Sequence, residues 1–309
     1  MKALLRRILQ LIGVLFGISA VTFLLVRLAP GDPARILAGE RASAATVEAI
    51  RHQYGFDQSL WDQFAYYCLR LLQGNMGWSL KYQRPVIQLI EQFISPTLFL
   101  TAYVICISVP VVVVGAIASA SKPRGFADNA IRIVGVASMT IPVFWLAIML
   151  SRLFGIALGW FPVSGYGDTF VDRLHHLFLP AFSMSLWLIP VLLQSLRAAL
   201  IEKAQADFVT AARAAGASER EILWRTVLPN SVVPTLNLLG VMIAYVIAGT
   251  IIVETVYAIP GLGTLMISSL LGRDYYVVQG LTLLFAVSTV LVTFIIDITT
   301  MMIDPRIRG

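Results

Sequence analysis

Long apolar runs separated by short polar connections dominate the sequence. Six of these runs carry no charge and are long enough to cross about 30 Å of hydrocarbon as helices. They are Ile8–Val26, Leu98–Ala120, Ile133–Ser151, Leu177–Leu196, Thr235–Val253 and Gly280–Ile296. A membrane β-barrel would need strands in which apolar and polar residues alternate, and these runs do not alternate. The pattern therefore predicts an all-α polytopic membrane protein with six transmembrane helices, forming a single transmembrane domain over residues 1–309.

The composition and charge distribution agree with a membrane protein. Hydrophobic residues make up 58% of the chain and charged residues 13%, whereas about a quarter of an average soluble domain is charged. If the N-terminus is cytoplasmic, the inner segments hold 13 of the 23 Lys and Arg residues, which predicts that both termini are cytoplasmic. The net charge of +6 then reflects membrane topology and gives no support to nucleic-acid binding.

Residues 29–96 form a predicted extracytoplasmic helical loop. Capping residues and terminating glycines predict two helices there: Ser43 or Thr46 with Gly55, and Ser59 with Gly74. One face of the second helix is apolar, at Leu60, Phe64, Tyr67 and Leu71. This face is predicted to pack on the spans, and a docking surface for an extracytoplasmic binding protein is the alternative.

The 197–234 segment is polar, yet it lies between two membrane-length apolar runs. Ala204–Ala215 is rich in alanine, and this predicts a helix that ends at Gly216, a residue suited to the left-handed conformation of a helix C-terminus. A corner should follow at Gly216. Two helices joined at a fixed angle would suit contact with a soluble partner.

A second, shorter helix is predicted after the corner. Ser218 and Glu221 have the spacing of a capping box, in which each side chain binds a free backbone N–H group of the other residue. Pro229 lacks an N–H group, so this helix is predicted to stop near Leu228.

The order Thr210-Ala211-Ala212, Gly216, Leu228-Pro229 resembles the Glu-Ala-Ala loop of permease subunits of binding-protein-dependent ABC importers. In that family the loop docks in a cleft of the ATPase. The resemblance implies that 197–234 is a cytoplasmic coupling loop, although Thr210 stands where the family has glutamate. The residues predicted to couple to the ATPase are Ala211, Ala212, Arg213, Gly216, Ser218, Glu221, Leu228 and Pro229.

Further motifs resemble the dipeptide, oligopeptide and nickel branch of that family. They are Tyr54–Gln58, Gly74–Ser79, Glu254–Gly263, Arg273–Gly280 and Asp304–Arg308. The resemblance implies six transmembrane helices of the ABC importer permease type in a bacterial or archaeal inner membrane. It also implies four kinds of partner: a second homologous permease, one or two cytoplasmic ABC ATPases, an extracytoplasmic substrate-binding protein, and membrane lipid.

Motifs for catalysis are missing from the sequence. The Gly-x-x-x-x-Gly-Lys-Ser/Thr phosphate loop is absent, so ATP and Mg are expected to be used by partner ATPases, and this chain is expected to need no cofactor. His52, His175 and His176 lack metal-ligand spacing, and Gly-x-Ser-x-Gly does not occur. We therefore predict no catalytic residue and no metal site.

Several residues within or near the predicted spans require interpretation. Three prolines fall inside predicted spans two, three and four, and they are candidates for lining a substrate path: Pro110, Pro142 and Pro190. Intramembrane carboxylates often mark ion or substrate paths, but Glu254 and Asp297 lie near helix ends and are predicted to pair with nearby cations. Pro260-Gly261 suits a type II turn. Cys68 and Cys106 are predicted to be unpaired, buried apolar residues.

Two other functions stay open at this level. An ATPase-independent secondary transporter or channel would need charged residues at the membrane midplane, and Asp297 is the one residue well inside a predicted span. An intramembrane hydrolase would need paired catalytic groups, for which His175 and Ser183 are the candidates. The substrate is also undecided among dipeptides, oligopeptides, glutathione-like peptides, nickel and metal chelates.

Overall fold

The computed structural model describes residues 12–24, 33–38, 42–53, 55–123 and 125–303. Helices account for nearly all of the regular structure, together with one short antiparallel strand pair. The first elements are α1 (Ile12–Leu24), α2 (Pro33–Ala38), α3 (Ala44–Gln53), α4 (Leu60–Leu72), β1 (Trp78–Ser79), β2 (Arg84–Pro85) and α5 (Val86–Ser121). The next are α6 (Phe126–Thr140), α7 (Val143–Leu150), a π-helical segment (Ser151–Ala157), α8 (Phe170–Ala204), α9 (Asp207–Ala214) and α10 (Glu219–Ile222). A second π-helical segment (Leu223–Val227), α11 (Leu228–Val256), α12 (Leu262–Leu271) and α13 (Tyr275–Ile303) complete the order.

Four continuous helices of the described chain are long and apolar enough to cross a membrane. These are Val86–Ser121, Phe170–Ala204, Glu219–Val256 and Tyr275–Met302. A fifth span is formed if the bent pair Asp128–Thr140 and Val143–Ala157 is counted as one. The first predicted span is described only as the apolar helix Ile12–Leu24, because its remaining residues lie outside the described ranges. The polytopic helical fold is therefore confirmed, whereas the count of six is not.

Pro142 breaks the third predicted span, which corrects the prediction of a continuous helix over Ile133–Ser151. The two halves meet at an angle of 101°. Proline disfavours the helical conformation of the residue before it, and Ile141 is extended, with φ −86° and ψ 127°. Pro110 and Pro190, in contrast, lie inside the continuous helices α5 and α8, as predicted.

The chain divides into two compact units. One consists of the described residues of Met1–Ser95 and Leu265–Ser288, and the other of those of Pro96–Thr264 and Thr289–Gly309. In the second unit α8 packs against α6, α7 and α11. Its fully buried side chains include Leu177, Leu188, Leu192, Leu196 and Leu200. The residues that lead into the polar 197–234 segment therefore belong to the core of this unit.

In the first unit the apolar face of α4 packs on α1. The ring of Phe64 lies 5.5 Å from that of Phe16 and 5.3 Å from that of Phe23. Phe64 and Tyr67 thus pack on α1, the described part of the first predicted span, whereas Leu60 of the same face is exposed. Ser43 and Ser59 cap α3 and α4, and the two helices are followed by left-handed glycines, also as predicted.

The cysteines agree only partly with prediction. Both thiols are free and Cys68 is half-buried, but Cys106 is exposed on the surface of α5. The prediction that Cys106 is buried is wrong, because an apolar residue of a membrane span has no need to be shielded from hydrocarbon.

Candidate functional site

The connection between α8 and α11 consists of two short helices and a corner. The prediction of one helix over Ala204–Ala215 is wrong at its beginning, because α8 ends at Ala204 and α9 begins at Asp207. Gln205 and Ala206 make short-range hydrogen bonds back to the last turn of α8, and Ala206 is extended. Asp207 then lies in the first turn of α9, where a negative charge interacts favourably with the helix dipole.

Gly216 forms the corner at the end of α9, with φ +86°. Its N–H group donates to Arg213 O at 3.0 Å, and the N–H group of Ala217 donates to Ala212 O at 3.2 Å. These two bonds define a Schellman motif, which satisfies carbonyl groups at the helix C-terminus. Ala212 and Ala217 are half-buried and pack against the core. The predicted left-handed glycine corner is confirmed.

The capping box after the corner forms only in part. Ser218 Oγ accepts a hydrogen bond from Glu221 N at 3.3 Å, as predicted. The Glu221 carboxylate accepts from Arg225 at 2.8 Å, and so it serves an ion pair one turn along the helix. Arg213 bridges the corner by donating two hydrogen bonds to the Glu219 carboxylate, at 2.6 and 3.1 Å. This pairing raises the pKa of Arg213.

Pro229 does not end the second helix, and the prediction of a stop near Leu228 is wrong. The chain passes from α10 through the π-helical turn Leu223–Val227 directly into α11. Proline lacks the N–H group of a helical hydrogen bond, and a wider turn before it accommodates the missing bond. The Asn230 side chain also donates to Thr226 O at 2.6 Å. The second helix of the corner is therefore continuous with a membrane span.

The predicted coupling residues divide into an exposed set and an anchoring set. Exposed members are Ala211, Arg213, Gly216, Ser218, Glu221 and Pro229, whereas Ala212 and Leu228 are half-buried. Val209, Ile222 and Val227 are buried and anchor the segment on the core. Phe208 and Trp224 are 41% and 51% exposed. Phe208 was missed from the sequence, where the available indication was a large apolar residue in a polar segment.

Glu254 is fully buried near the end of α11, and the predicted pairing with a cation is wrong. Its Oε1 accepts from the Thr97 hydroxyl at 2.6 Å. Its Oε2 accepts from the N–H groups of Gly263 at 2.7 Å and Thr264 at 3.3 Å. These donors lie in the first turn of α12, where a helix presents free N–H groups. Among the described residues Glu254 is thus held by neutral donors.

The glycines after Glu254 are needed for close packing. A Cβ atom at Gly261 would overlap the Glu254 carboxylate, and one at Gly263 would overlap the α11 backbone at Ile251. The predicted type II turn is wrong, because it needs a positive φ at Gly261, whereas the positive φ lies at Ala258, at +48°.

The three candidate path prolines lie in different surroundings. Pro110 and Pro142 are exposed on this chain, whereas Pro190 is buried. A Cβ atom at Gly135 of α6 would lie 3.2 Å from Pro190. The break at Pro190 therefore faces another helix, while the role of the three in a substrate path stays a prediction.

The hydrolase candidates do not form a catalytic pair. Ser183 is buried and donates to Pro180 O at 2.7 Å, and His175 Nε2 lies 2.8 Å from Trp160 O. Within the described residues, no cluster of three or more His, Cys, Asp and Glu is arranged to hold a metal ion. The second unit therefore offers two features of interest, which are the corner at Gly216 and the buried Glu254 carboxylate with its three hydrogen-bond donors.

Residues 111–309 match the protein family described as the binding-protein-dependent transport system inner membrane component, over more than half of the chain. The chain belongs to this family. Residues 1–101 also match the N-terminal region described for such membrane components. The protein is a permease subunit of an ABC importer, a multi-pass membrane protein that is not itself the ATPase. It therefore works with ATPase and binding-protein partners, and a stand-alone secondary transporter is not supported.

Two relatives resemble the permease over nearly its whole length. A probable peptide ABC transporter permease protein, y4tP of Sinorhizobium fredii, is 34% identical over 99% of this chain and 98% of its own. The glutathione transport system permease protein GsiC of Escherichia coli K12 is 33% identical over 98% and 97%.

The fold of the permease is shared with the methionine ABC transporter MetNI, solved in an inward-facing conformation. The TM-score is 0.55, and the match covers 70% of this chain and 97% of that chain at 18% identity. At this identity the comparison supports the fold alone.

Asp274 joins the 29–96 segment of the permease to the beginning of α13. It is fully buried, and its Oδ2 accepts from Ser79 Oγ at 2.5 Å and from Lys81 N at 3.1 Å. Ser268 adds two bonds to the same segment, from Lys81 Nζ at 3.0 Å and with Tyr82 OH at 2.8 Å. These bonds lie within the first unit.

Replacing Asp274 by alanine should destabilise this connection, because it leaves the buried Ser79 hydroxyl and the Lys81 N–H group without their acceptor. We expect a loss of about 2–4 kcal/mol, because an orphaned buried donor costs roughly 1–3 kcal/mol and the Lys81 N–H group, being only partly buried, costs about 1 kcal/mol. Thermal unfolding of the purified permease in detergent measures the loss. Asp57→Ala removes an exposed carboxylate of the 29–96 segment that pairs with the exposed His52, at 2.6 Å, and is expected to change stability by less than about 1 kcal/mol. Equal unfolding midpoints for Asp274→Ala and Asp57→Ala would show that the hydrogen bonds of Asp274 do not stabilise this connection.

Proposed function

We propose that this permease imports short peptides and that residues 197–234 transmit the force of cytoplasmic ABC ATPases to its membrane spans. The observation that carries the proposal is the corner at Gly216, which is exposed, closed by a Schellman motif and continuous with α11. The proposed contact residues are the exposed members of the segment together with Phe208 and Trp224.

The structure of the corner suits the transfer of force. The Schellman bonds and the Arg213–Glu219 ion pair fix the angle between α9 and α10. Val209, Ile222 and Val227 attach both helices to the core, so the corner is held as part of the transmembrane structure. The continuous path through Pro229 supports transfer, because a push on α10 acts directly on a membrane span.

The proposed substrate is a short peptide, glutathione-like peptides included. This assignment follows the printed functions of the relatives, a probable peptide permease and a glutathione permease, each matched over nearly the whole chain. Nickel and metal chelates, which the family resemblance left open, have no relative of that kind among the proteins compared above. Competition between radiolabelled glutathione and unlabelled tripeptides for uptake tests the choice of substrate.

The proposed assembly contains this chain, a second homologous permease, one or two cytoplasmic ATPases and an extracytoplasmic binding protein. ATP and Mg are used by the ATPases, and this chain needs no cofactor. Both termini lie in the cytoplasm in this arrangement, because the inner segments then carry most of the Lys and Arg residues. The 29–96 segment and the α7–α8 connection then face outward.

Cysteine crosslinking in intact cells tests the contact with the ATPase. In a background that carries Cys68→Ser and Cys106→Ser, we expect Ser218→Cys and Ala212→Cys to form an adduct with a nucleotide-binding subunit. Ser218 is exposed and Ala212 is half-buried, so the adduct at position 218 should be the stronger. Val163→Cys, which is 40% exposed in the α7–α8 connection, is the control and should form none. If neither position captures the ATPase while both subunits are present, the coupling role is wrong.

A further inference from the structure

Side chains from five helices make hydrogen bonds between helices beside the 197–234 segment. They form three connections, and we call the whole set the polar belt. It consists of Ser119 of α5, Asp128 of α6, Ser195 and Arg197 of α8, Thr235 and Asn237 of α11, and Thr300 of α13. All seven residues belong to the second compact unit.

The first connection joins α5, α6 and α8 through one buried carboxylate. Arg197 donates to both oxygens of Asp128, at 2.6 and 2.7 Å, and to Ser119 Oγ at 3.0 Å. The Ser119 hydroxyl donates to the same carboxylate. Asp128 is fully buried and lies in the first turn of α6, where the helix dipole favours a negative charge. Two parallel bonds between guanidinium and carboxylate also fix the relative orientation of the groups.

The other two connections extend from α8 to α11 and from α11 to α13. The hydroxyls of Ser195 and Thr235 lie 3.2 Å apart, and Thr300 Oγ1 donates to Asn237 Oδ1 at 3.0 Å. Thr235 and Thr300 are 8% and 4% exposed. Each connection therefore places a directional bond between two helices that apolar contacts alone would leave free to slide.

The belt residues flank both ends of the proposed coupling loop. Ser195 and Arg197 stand where α8 leads into it, and Thr235 and Asn237 stand where α11 leaves it. We call the end of α8 and the beginning of α11 the two stems of the loop, and the Ser195–Thr235 contact joins them to each other. From these stems, Arg197 reaches α5 and α6, and Asn237 reaches α13. A displacement of the loop thus has a bonded route to each of the other three helices.

The surroundings favour retention of these bonds during motion. Asp128, Thr235 and Thr300 are buried, so a polar group there that loses its partner has no water to replace it, and breaking such a bond costs more than moving both helices together. Separating the Arg197–Asp128 ion pair is costly for the same reason, because it leaves the buried Asp128 charge uncompensated.

We infer that the polar belt makes the five helices move together when the coupling loop moves, and that Asp128, Arg197, Thr235 and Thr300 are positioning residues for transport. This inference rests on the proposed coupling role of residues 197–234. It predicts that loss of a belt bond uncouples the spans beyond it, while assembly with the ATPases and nucleotide trapping are retained.

Distance measurements between spin labels test the inference without knowledge of the substrate. The labels are placed at the native Cys106 of α5 and at Leu291→Cys of α13, both exposed, in a Cys68→Ser background. The complete transporter, with its second permease and ATPases, is measured without nucleotide and after trapping with ATP and vanadate. Because both labels lie on helices that move together, we expect trapping to leave the distance between them unchanged.

Thr300→Val and Thr299→Val form the matched pair of variants. Both remove a threonine hydroxyl from α13, but the Thr299 hydroxyl bonds only within its own helix, to Ile295 O at 2.8 Å. Thr300→Val is expected to let trapping change the distance, with trapped nucleotide unchanged, whereas Thr299→Val should keep the distance constant. Thr300→Ser keeps the hydroxyl and should keep the distance constant as well.

Asp128→Asn tests the other end of the belt and is expected to allow the same distance change. A constant distance in both Thr300→Val and Asp128→Asn, or a changing distance in the unaltered transporter, would overturn the inference. If the crosslinks at positions 212 and 218 do not form, the proposed coupling role fails, and the belt fails with it. If the crosslinks form and the belt variants keep the distance as constant as the unaltered transporter does, the belt alone is wrong.

Discussion

Replacing Glu254 by methionine is expected to cause the largest loss of stability among the variants considered, at least about 3 kcal/mol. Methionine has a similar length but accepts no strong hydrogen bond, so three donors lose their acceptor: the Thr97 hydroxyl and the N–H groups of Gly263 and Thr264. An orphaned buried donor costs roughly 1–3 kcal/mol, and more when its lost partner was charged. Thermal unfolding in detergent and the amount of protein in the membrane measure the loss.

Two further variants separate the hydrogen bonds of Glu254 from simple packing. Glu254→Gln keeps one carbonyl acceptor for the two N–H groups, and we expect a smaller loss of about 1–2 kcal/mol. Thr97→Val removes the hydroxyl that bonds both Glu254 and Leu262 N, whereas Thr101→Val removes one that bonds only Thr97 O within α5. Thr97→Val should therefore be the more destabilising of the two. A stable Glu254→Met protein would show that the α12 N-terminus is held by other contacts.

The sequence predicts those features that depend on neighbouring residues. Apolar runs locate α5, α8, α11 and α13, because a span is encoded by about 20 consecutive residues. Ser59 and Gly216 are also recognisable, since a cap or a left-handed glycine acts within one helical turn. For these features no knowledge of the tertiary structure is needed.

Prolines show the limit of local prediction. Pro110 and Pro190 are accommodated inside continuous helices, Pro229 follows a π-helical turn, and Pro142 breaks a span with a bend of 101°. All four lack the same N–H group, so the sequence predicts a weak point at each. Whether the helix continues depends on the groups that bond the freed carbonyl, as Asn230 does at Thr226.

Contacts between distant residues could not be predicted at all. Glu254 and Thr97 are separated by 157 positions, and Arg197 and Asp128 by 69. A glutamate near a helix end is usually solvated or paired with a cation. The sequence around Glu254 therefore gives no indication of its three buried hydrogen bonds except the nearby glycines. The polar belt is likewise invisible in sequence, where its serines and threonines resemble any others within apolar runs.

The polar belt and the corner together explain why few buried side chains are needed to attach the 197–234 segment to the core. α9 and α10 are short helices of 8 and 4 residues, and their exposed faces are available for a partner. Their attachment depends on three buried apolar side chains and on the bonded stems of α8 and α11. In the proposed coupling role, the segment changes its contacts with an ATPase while the ends of α8 and α11 that adjoin it carry its displacement into the membrane.

Replacing Gly216 by valine or proline is expected to lower uptake at least about tenfold while the permease still inserts into the membrane. The left-handed conformation, with φ +86°, is strained for any residue with a Cβ atom, and proline would also lose the N–H bond to Arg213 O. No atom lies within 4 Å of a Cβ at this position, so the effect arises from the backbone alone. A cost of about 1–2 kcal/mol is enough to favour another corner angle, and 1.4 kcal/mol corresponds to a factor of ten.

Gly159→Val is the matched control for this prediction, because Gly159 is also left-handed, with φ +66°, and also has no atom within 4 Å of a Cβ. It lies in the α7–α8 connection, away from the coupling segment along the chain. Because the backbone strain is similar, both variants should lose a similar amount of stability, which unfolding in detergent measures. Uptake by Gly159→Val should stay within about twofold of normal. Peptide uptake by cells, divided by the amount of permease in the membrane, compares the two. Equal uptake by Gly216→Val and Gly159→Val would mean that the corner angle does not transmit force, since only its position along the chain distinguishes the two glycines.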